Sequence, residues 1–147
     1  MFKNITLPFI LAIVLFSSTA LAAEYVSVSK DGINVRAQSG TSSEILWEAF
    51  KGYPLMVLQR HDKWLQIQDF EGDKGWIYAP LVSKQNTLIT KVKLANLRGG
   101  PGTNYEILST VKYGVVFKPE SKDDKWFKVS YEDGTVGWLH EDLVWPN

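Results

Sequence analysis

Two arginines and four tryptophans recur at matched places in this chain, and their chemistry sets the first question. Arg36 stands in NVRAQSGTSSEIL (34–46) and Arg98 in NLRGGPGTNYEIL (96–108), each between an apolar residue and a turn. A guanidinium carries five donors in a fixed fork, so it can clamp the carbonyls of an irregular loop or take a ligand carboxylate. Trp64 and Trp126 open alternating stretches, while Trp76 and Trp138 each follow a glycine. Aromatic rings with a polar edge suit the recognition of peptides and sugars, and equally suit the capping of a small core. Both roles are open for each of these rings. Tyr78 and His140, two residues beyond Trp76 and Trp138, complete the candidate ligand-binding set.

Other chemistry is poorly supplied. The glycines of 99–102 resemble a phosphate cradle in composition alone, because a Walker loop needs G-x-x-x-x-G-K-[ST] and a Rossmann loop needs a following helix. Here Gly102 is followed by Thr103, Asn104 and Tyr105 and then the apolar pair Ile107 and Leu108, which fits a turn feeding a strand. The expected task of the glycines is positive φ, with Pro101 fixing its own φ. His61 and His140 occupy non-equivalent places, matching Asp123 and Tyr78, so they do not form a duplicated active site. Two histidines and no cysteine make a poor zinc set. Paired carboxylates such as Asp123 with Asp124 sit in turn-like segments, and a small barrel has little room for the cleft of a glycosidase. No cofactor, no metal and no enzymatic activity are expected.

The elements that must position these residues are written twice. At an offset of 62, residues 31–82 align with 93–144 without a gap: Asn34 with Asn96, Arg36 with Arg98, Glu44-Ile45-Leu46 with Glu106-Ile107-Leu108, Asp62-Lys63-Trp64 with Asp124-Lys125-Trp126, and Gly75-Trp76 with Gly137-Trp138. A repeat of this period signals two copies of a domain, too few for a solenoid. Period-two alternation dominates each copy. Leu65 and Ile67 alternate with Trp64, Gln66 and Gln68, and Phe127 and Val129 alternate with Trp126, Lys128 and Ser130. Parity therefore places Trp64 and Trp126 on the wetter face, and one residue of each pair Trp76-Ile77 and Trp138-Leu139 must also leave the core. EDGTVGW (132–138) reads as a hairpin turn on Asp133 and Gly134 followed by a strand. Trp47 and Trp145 lack tryptophan counterparts and are expected to pack between copies or at the C-terminus.

The order N-[VL]-R, a G-T turn, E-I-L, a later Gly, a Trp opening a strand, and G-W-[IL] leading to L-V resembles the bacterial SH3 domain, often called SH3b. The resemblance covers both copies, and the second is the more faithful, since the first has Ala37, Gln38 and Ser39 in its turn. It implies an all-β protein of two tandem small SH3-like five-stranded barrels with a binding role. Such domains occur in envelope proteins beside cell-wall hydrolases, and some recognise peptidoglycan peptides.

The remaining features place this pair in the chain. Lys3, the apolar run LPFILAIVLF (7–16) and Ala20-Leu21-Ala22 form the pattern of a secretory signal peptide over 1–22. The expected organisation is a first SH3b domain over 23–83, a linker and strand start over 84–90, and a second domain over 91–147. Sixteen basic residues balance sixteen acidic ones, so there is no electrostatic footprint for nucleic acid, and none for a membrane once the signal is removed. Without cysteines each unit must hold itself by apolar packing alone. The expectation is a secreted or periplasmic monomer that binds peptidoglycan, or alternatively an envelope protein for which it serves as adaptor.

Overall fold

Alternation of apolar and polar residues produces strands throughout. The structure, a computed structural model, describes residues 20–147; most of the expected signal peptide, 1–19, lies outside the described residues. In the first copy the strands are β1 (Glu24–Val28), β2 (Ile33–Arg36), β3 (Ile45–Ala49), β4 (Pro54–His61), β5 (Trp64–Gln68), β6 (Lys74–Tyr78) and β7 (Val82–Ser83), with a short 3-10 turn at Ala79–Leu81. The second copy repeats them as β8 (Leu88–Thr90), β9 (Leu94–Arg98), β10 (Ile107–Lys112), β11 (Val116–Asp123), β12 (Trp126–Ser130), β13 (Val136–His140) and β14 (Val144–Trp145). Each copy forms its own antiparallel sheet, ordered β3-β2-β6-β5-β4-β1-β7 and β10-β9-β13-β12-β11-β8-β14. Among the described residues no helix is long and apolar enough to cross a membrane.

The expected five strands per copy become seven in the structure. The additional pieces are short, such as β7 and β14 with two residues each, and they tie the end of each copy back to its first strand through Val28–Val82 and Thr90–Val144. Two separate cores result. Val35, Leu55, Ile67 and Ile77 are fully buried in the first, and Leu97, Val129, Leu139 and Val144 are buried in the second. Fully burying one such side chain is worth about 1.5–3 kcal/mol, so each copy can persist without cross-links.

Turn chemistry sets the register. His61 faces Trp64 and Asp123 faces Trp126 across two-residue turns. Asp62 and Asp124 carry φ of 51° and 50° there, a left-handed conformation that aspartate tolerates. The hairpin expected at Asp133-Gly134 is present, with Gly134 at φ 88° and β13 following. Gly75 and Gly137 have a different task. A Cβ at Gly75 would lie 2.4 Å from Val35 Cγ1, and one at Gly137 would lie 2.5 Å from Leu97 Cγ. Only glycine lets β6 pass so close to β2, and β13 to β9.

The copies touch through contacts that exchange positions. Lys51 Nζ lies 3.8 Å from Glu132 Oε1, while the rings of Phe70 and Tyr113 meet at a tilt, 5.2 Å apart. Under the 62-residue offset Lys51 matches Tyr113 and Phe70 matches Glu132, so one pair is the two-fold image of the other. Thr87 Oγ1 also donates to the Gly52 carbonyl at 2.7 Å. Trp145 meets Tyr25 edge-on at 5.4 Å, so this tryptophan does pack between copies. Trp47 does not. It packs against the core of its own copy, because a bulge at Leu46 shifts the strand register and turns Trp47 to the side of Val35, its cross-strand partner.

Candidate functional site: a repeated aromatic face

The sheet β2-β6-β5 has one inner and one outer face, and register decides which residues share the outer one. Arg36, Trp76 and Gln66 stand side by side across the three strands. One row further on, Tyr78, Trp64 and His61 are neighbours, with the Trp64 and Tyr78 rings 5.5 Å apart. Their sequence neighbours Leu65 and Ile77 point inward and are buried. The second copy repeats the arrangement. Arg98, Trp138 and Lys128 form one row, and His140, Trp126 and Asp123 the next. The Trp126 indole meets the His140 imidazole edge-on at 5.1 Å. All four tryptophans are half-buried, leaving part of each ring open to solvent. The eight candidate residues thus gather as Arg36, Trp64, Trp76 and Tyr78 on one copy, and Arg98, Trp126, Trp138 and His140 on the other.

The arginines are held by their own loops. Arg36 Nη1 donates to the Ser43 carbonyl at 2.6 Å, and Arg98 Nη1 donates to the carbonyls of Thr103 and Tyr105, both at 3.0 Å. Each guanidinium is thereby fixed beside its tryptophan. A fork of five donors keeps others for a bound carboxylate or carbonyl. His140 Nδ1 accepts from the Asp142 amide at 3.2 Å, which requires the neutral ring to carry its proton on Nε2. Next to it, the Lys122 ammonium hydrogen-bonds Glu141 at 2.6 Å and holds that carboxyl below the usual range.

The glycine-rich loop serves as scaffold. Gly99 N donates to Glu106 O, Gly102 N to Gly100 O, and Tyr105 N to Gly102 O, so these amides bond their own carbonyls. The expected positive φ is absent from Gly99, Gly100 and Gly102. Space is the reason for glycine instead, since a Cβ on Gly100 would lie 2.3 Å from the Tyr105 ring. In the first copy Gly40 does take φ 117°. Among the described residues no group of three or more His, Asp or Glu side chains could hold a metal ion.

A polar cluster that sequence reasoning missed lies beside β5. Asp69 is 7% exposed and accepts from the amides of Glu71 and Asp73 at 3.0 and 2.9 Å. Tyr53 Oη also donates to it at 3.1 Å. Burial, and then the Asp69 charge, raise the Tyr53 phenol above its ordinary range. The second copy has Val115 and Tyr131 at these positions. The D-x-x-G-D spacing, Asp69 to Asp73, was the available signal, an aspartate closing its own turn.

A family model for the bacterial SH3 domain matches residues 29–84 and 91–146. A protein of Bacillus subtilis (strain 168) named as a candidate N-acetylmuramoyl-L-alanine amidase, YrvJ, is 31% identical over 140 residues, covering 88% of this chain and 27% of its own length. Among solved structures, NlpC2 from Trichomonas vaginalis is 15% identical with a TM-score of 0.37, over 86% of this chain and 49% of that one. An NlpC/P60 family protein from Bacillus cereus ATCC 10987 is 12% identical with a TM-score of 0.39, over 82% and 55%. The chain thus spans about a quarter of the curated relative and about half of each solved chain. The assignment rests on the family model, which takes in both copies: this chain belongs to the bacterial SH3 domain family, with two domains in tandem.

Proposed function

We propose that the protein is a non-catalytic recognition module, exported from the cytoplasm and acting as a monomer, that binds peptidoglycan through its peptide or glycan part. The observation that carries this reading is the repetition of one outer surface, an arginine fixed beside a tryptophan with a second aromatic pair in the next row, at equivalent positions of both copies. Indole faces pack against the flat apolar sides of sugars and peptide planes, while a guanidinium takes a carboxylate such as a peptide terminus. The relative from Bacillus subtilis carries an amidase name, which favours the wall over other carboxylate-bearing polymers. Each face is shallow and half-exposed, so each binds weakly. Two faces in one chain raise the retention on a polymer where both engage.

Sedimentation with purified wall sacculi tests the proposal. Residues 23–147 are expected to pellet with the sacculi, and Trp126→Ala combined with Trp138→Ala is expected to shift at least half of the protein to the supernatant at an unchanged melting temperature. A protein that stays in solution with or without those rings would refute it.

A further inference from the structure

The second copy contains a pocket that the first copy fills with its own side chains. In the first copy Trp47 and Tyr53 pack on the core, and the Tyr53 ring meets the exposed Phe50 ring edge-on at 5.1 Å. The equivalent residues in the second copy are Ser109, Lys112 and Val115. Register and bulge are the same, for Trp47 faces Val35 while Ser109 faces Leu97. The second copy lacks those rings but carries Phe117 and Tyr131 where the first has Leu55 and Asp69, and a pocket of about 320 Å³ remains, lined by Leu97, Val111, Val115, Phe117 and Tyr131. Lys112, Asp133 and Thr135 supply polar groups to its lining. That volume lies within the range of small-ligand sites.

Two observations fix what fits. The internal duplicate shows an indole seated at this position of the fold, on the same backbone, so an aromatic ring of that size is the matching shape. In addition β10 ends its sheet, and five of its six residues are exposed, including Ile107 at 53% and Leu108 at 47%. An unpaired strand edge accepts an extended chain by main-chain hydrogen bonds. Ser109 and Val111 lie on the inner side of β10, so alternate side chains of an added strand would fall over the pocket. We propose that the second domain binds an extended polypeptide along β10 and takes one of its aromatic side chains into this pocket. The sugars and stem peptides of peptidoglycan carry no aromatic ring, so the site answers to a protein and is independent of the wall-facing surfaces.

The test is an amide chemical-shift titration of residues 23–147 with indole, with a Thr-Thr-Trp-Thr-Thr peptide, and with the same peptide carrying alanine in place of tryptophan. Indole and the tryptophan peptide are expected to move Leu97, Val111, Val115 and Thr135. The tryptophan peptide should also move the amides of β10 and bind about tenfold more tightly than indole, while the alanine peptide does neither. Ser109→Trp refills the space from within and is expected to abolish these shifts without lowering the melting temperature. Val115→Tyr restores the other first-copy ring and decides the matter if the former variant misfolds. No localised response at roughly 10 mM indole, an equal response in the filled variants, or a tryptophan peptide no tighter than indole would each overturn the proposal.

Discussion

A methyl group suffices to ask why glycine precedes tryptophan in both copies. Gly75 does not have positive φ, so replacing it by alanine carries no left-handed strain; the effect comes from crowding of the new Cβ, chiefly 2.4 Å from Val35 Cγ1 and more mildly against Arg36 O and Trp47. Gly75→Ala is expected to lower stability by about 1–3 kcal/mol, measured by denaturant unfolding. In a double-mutant cycle, Val35→Ala should recover at least about 0.5 kcal/mol of that loss, because it removes the clashing methyl. Additive losses would mean that the tight strand approach is not the reason for glycine. The same reasoning separates what was legible in the sequence from what was not. Parity placed Trp64 and Trp126 on the outer face and required one of each pair Trp76-Ile77 and Trp138-Leu139 to leave the core; Ile77 and Leu139 are the buried members, so Trp76 and Trp138 are outside. Trp47 was expected between the copies because it has no tryptophan counterpart, but a bulge turns it onto its own core, and no hydrophobic pattern announces a bulge. The glycines of 99–102 were recognisable as a turn, but the ring of Tyr105 that excludes a Cβ arrives from outside the glycine run.

At the scale of elements, the turn between β5 and β6 is where the copies diverge. Asp69 looks like a solvated turn residue in the sequence, yet it is buried and ties the turn to Tyr53. Tyr53→Phe removes that phenolic donor and is expected to cost about 1 kcal/mol at neutral pH. Alkaline pH gives a second readout. Burial and the Asp69 charge raise the Tyr53 phenol above its ordinary range, and partial desolvation with the Glu71 carboxylate pushes the largely exposed Tyr113 up to about 12. A folded-state pKa above the unfolded value near 10 means stabilisation that is complete below pH 10 and is lost as pH rises through 12. Thermal melts of the wild-type chain should therefore fall between pH 10 and 12, and Tyr53→Phe should flatten that fall. Parallel curves for the two proteins would show that the Tyr53–Asp69 contact does not hold the turn.

For the whole molecule, duplication produced two unequal halves of one design. The offset of 62 residues was plain in the letters, and it carried over to two sheets of the same strand order. Less visible was how the copies meet. Lys51–Glu132 and Phe70–Tyr113 are images of one another, but one is an ion pair and the other a tilted aromatic contact, so no shared letters mark the relation. The outer aromatic faces stayed alike, whereas the region around Trp47 is filled in one copy and open in the other. The outer faces whose geometry repeats in both copies are the proposed wall-binding surface. Titrating ¹⁵N-labelled residues 23–147 with soluble muropeptides and following the six indole Nε1–H signals addresses it most directly. Trp64, Trp76, Trp126 and Trp138 should shift together while Trp47, packed against the core of its own copy and away from those faces, stays still. Shifts confined to Trp47 or Trp145, or no shift in any indole, would contradict the account.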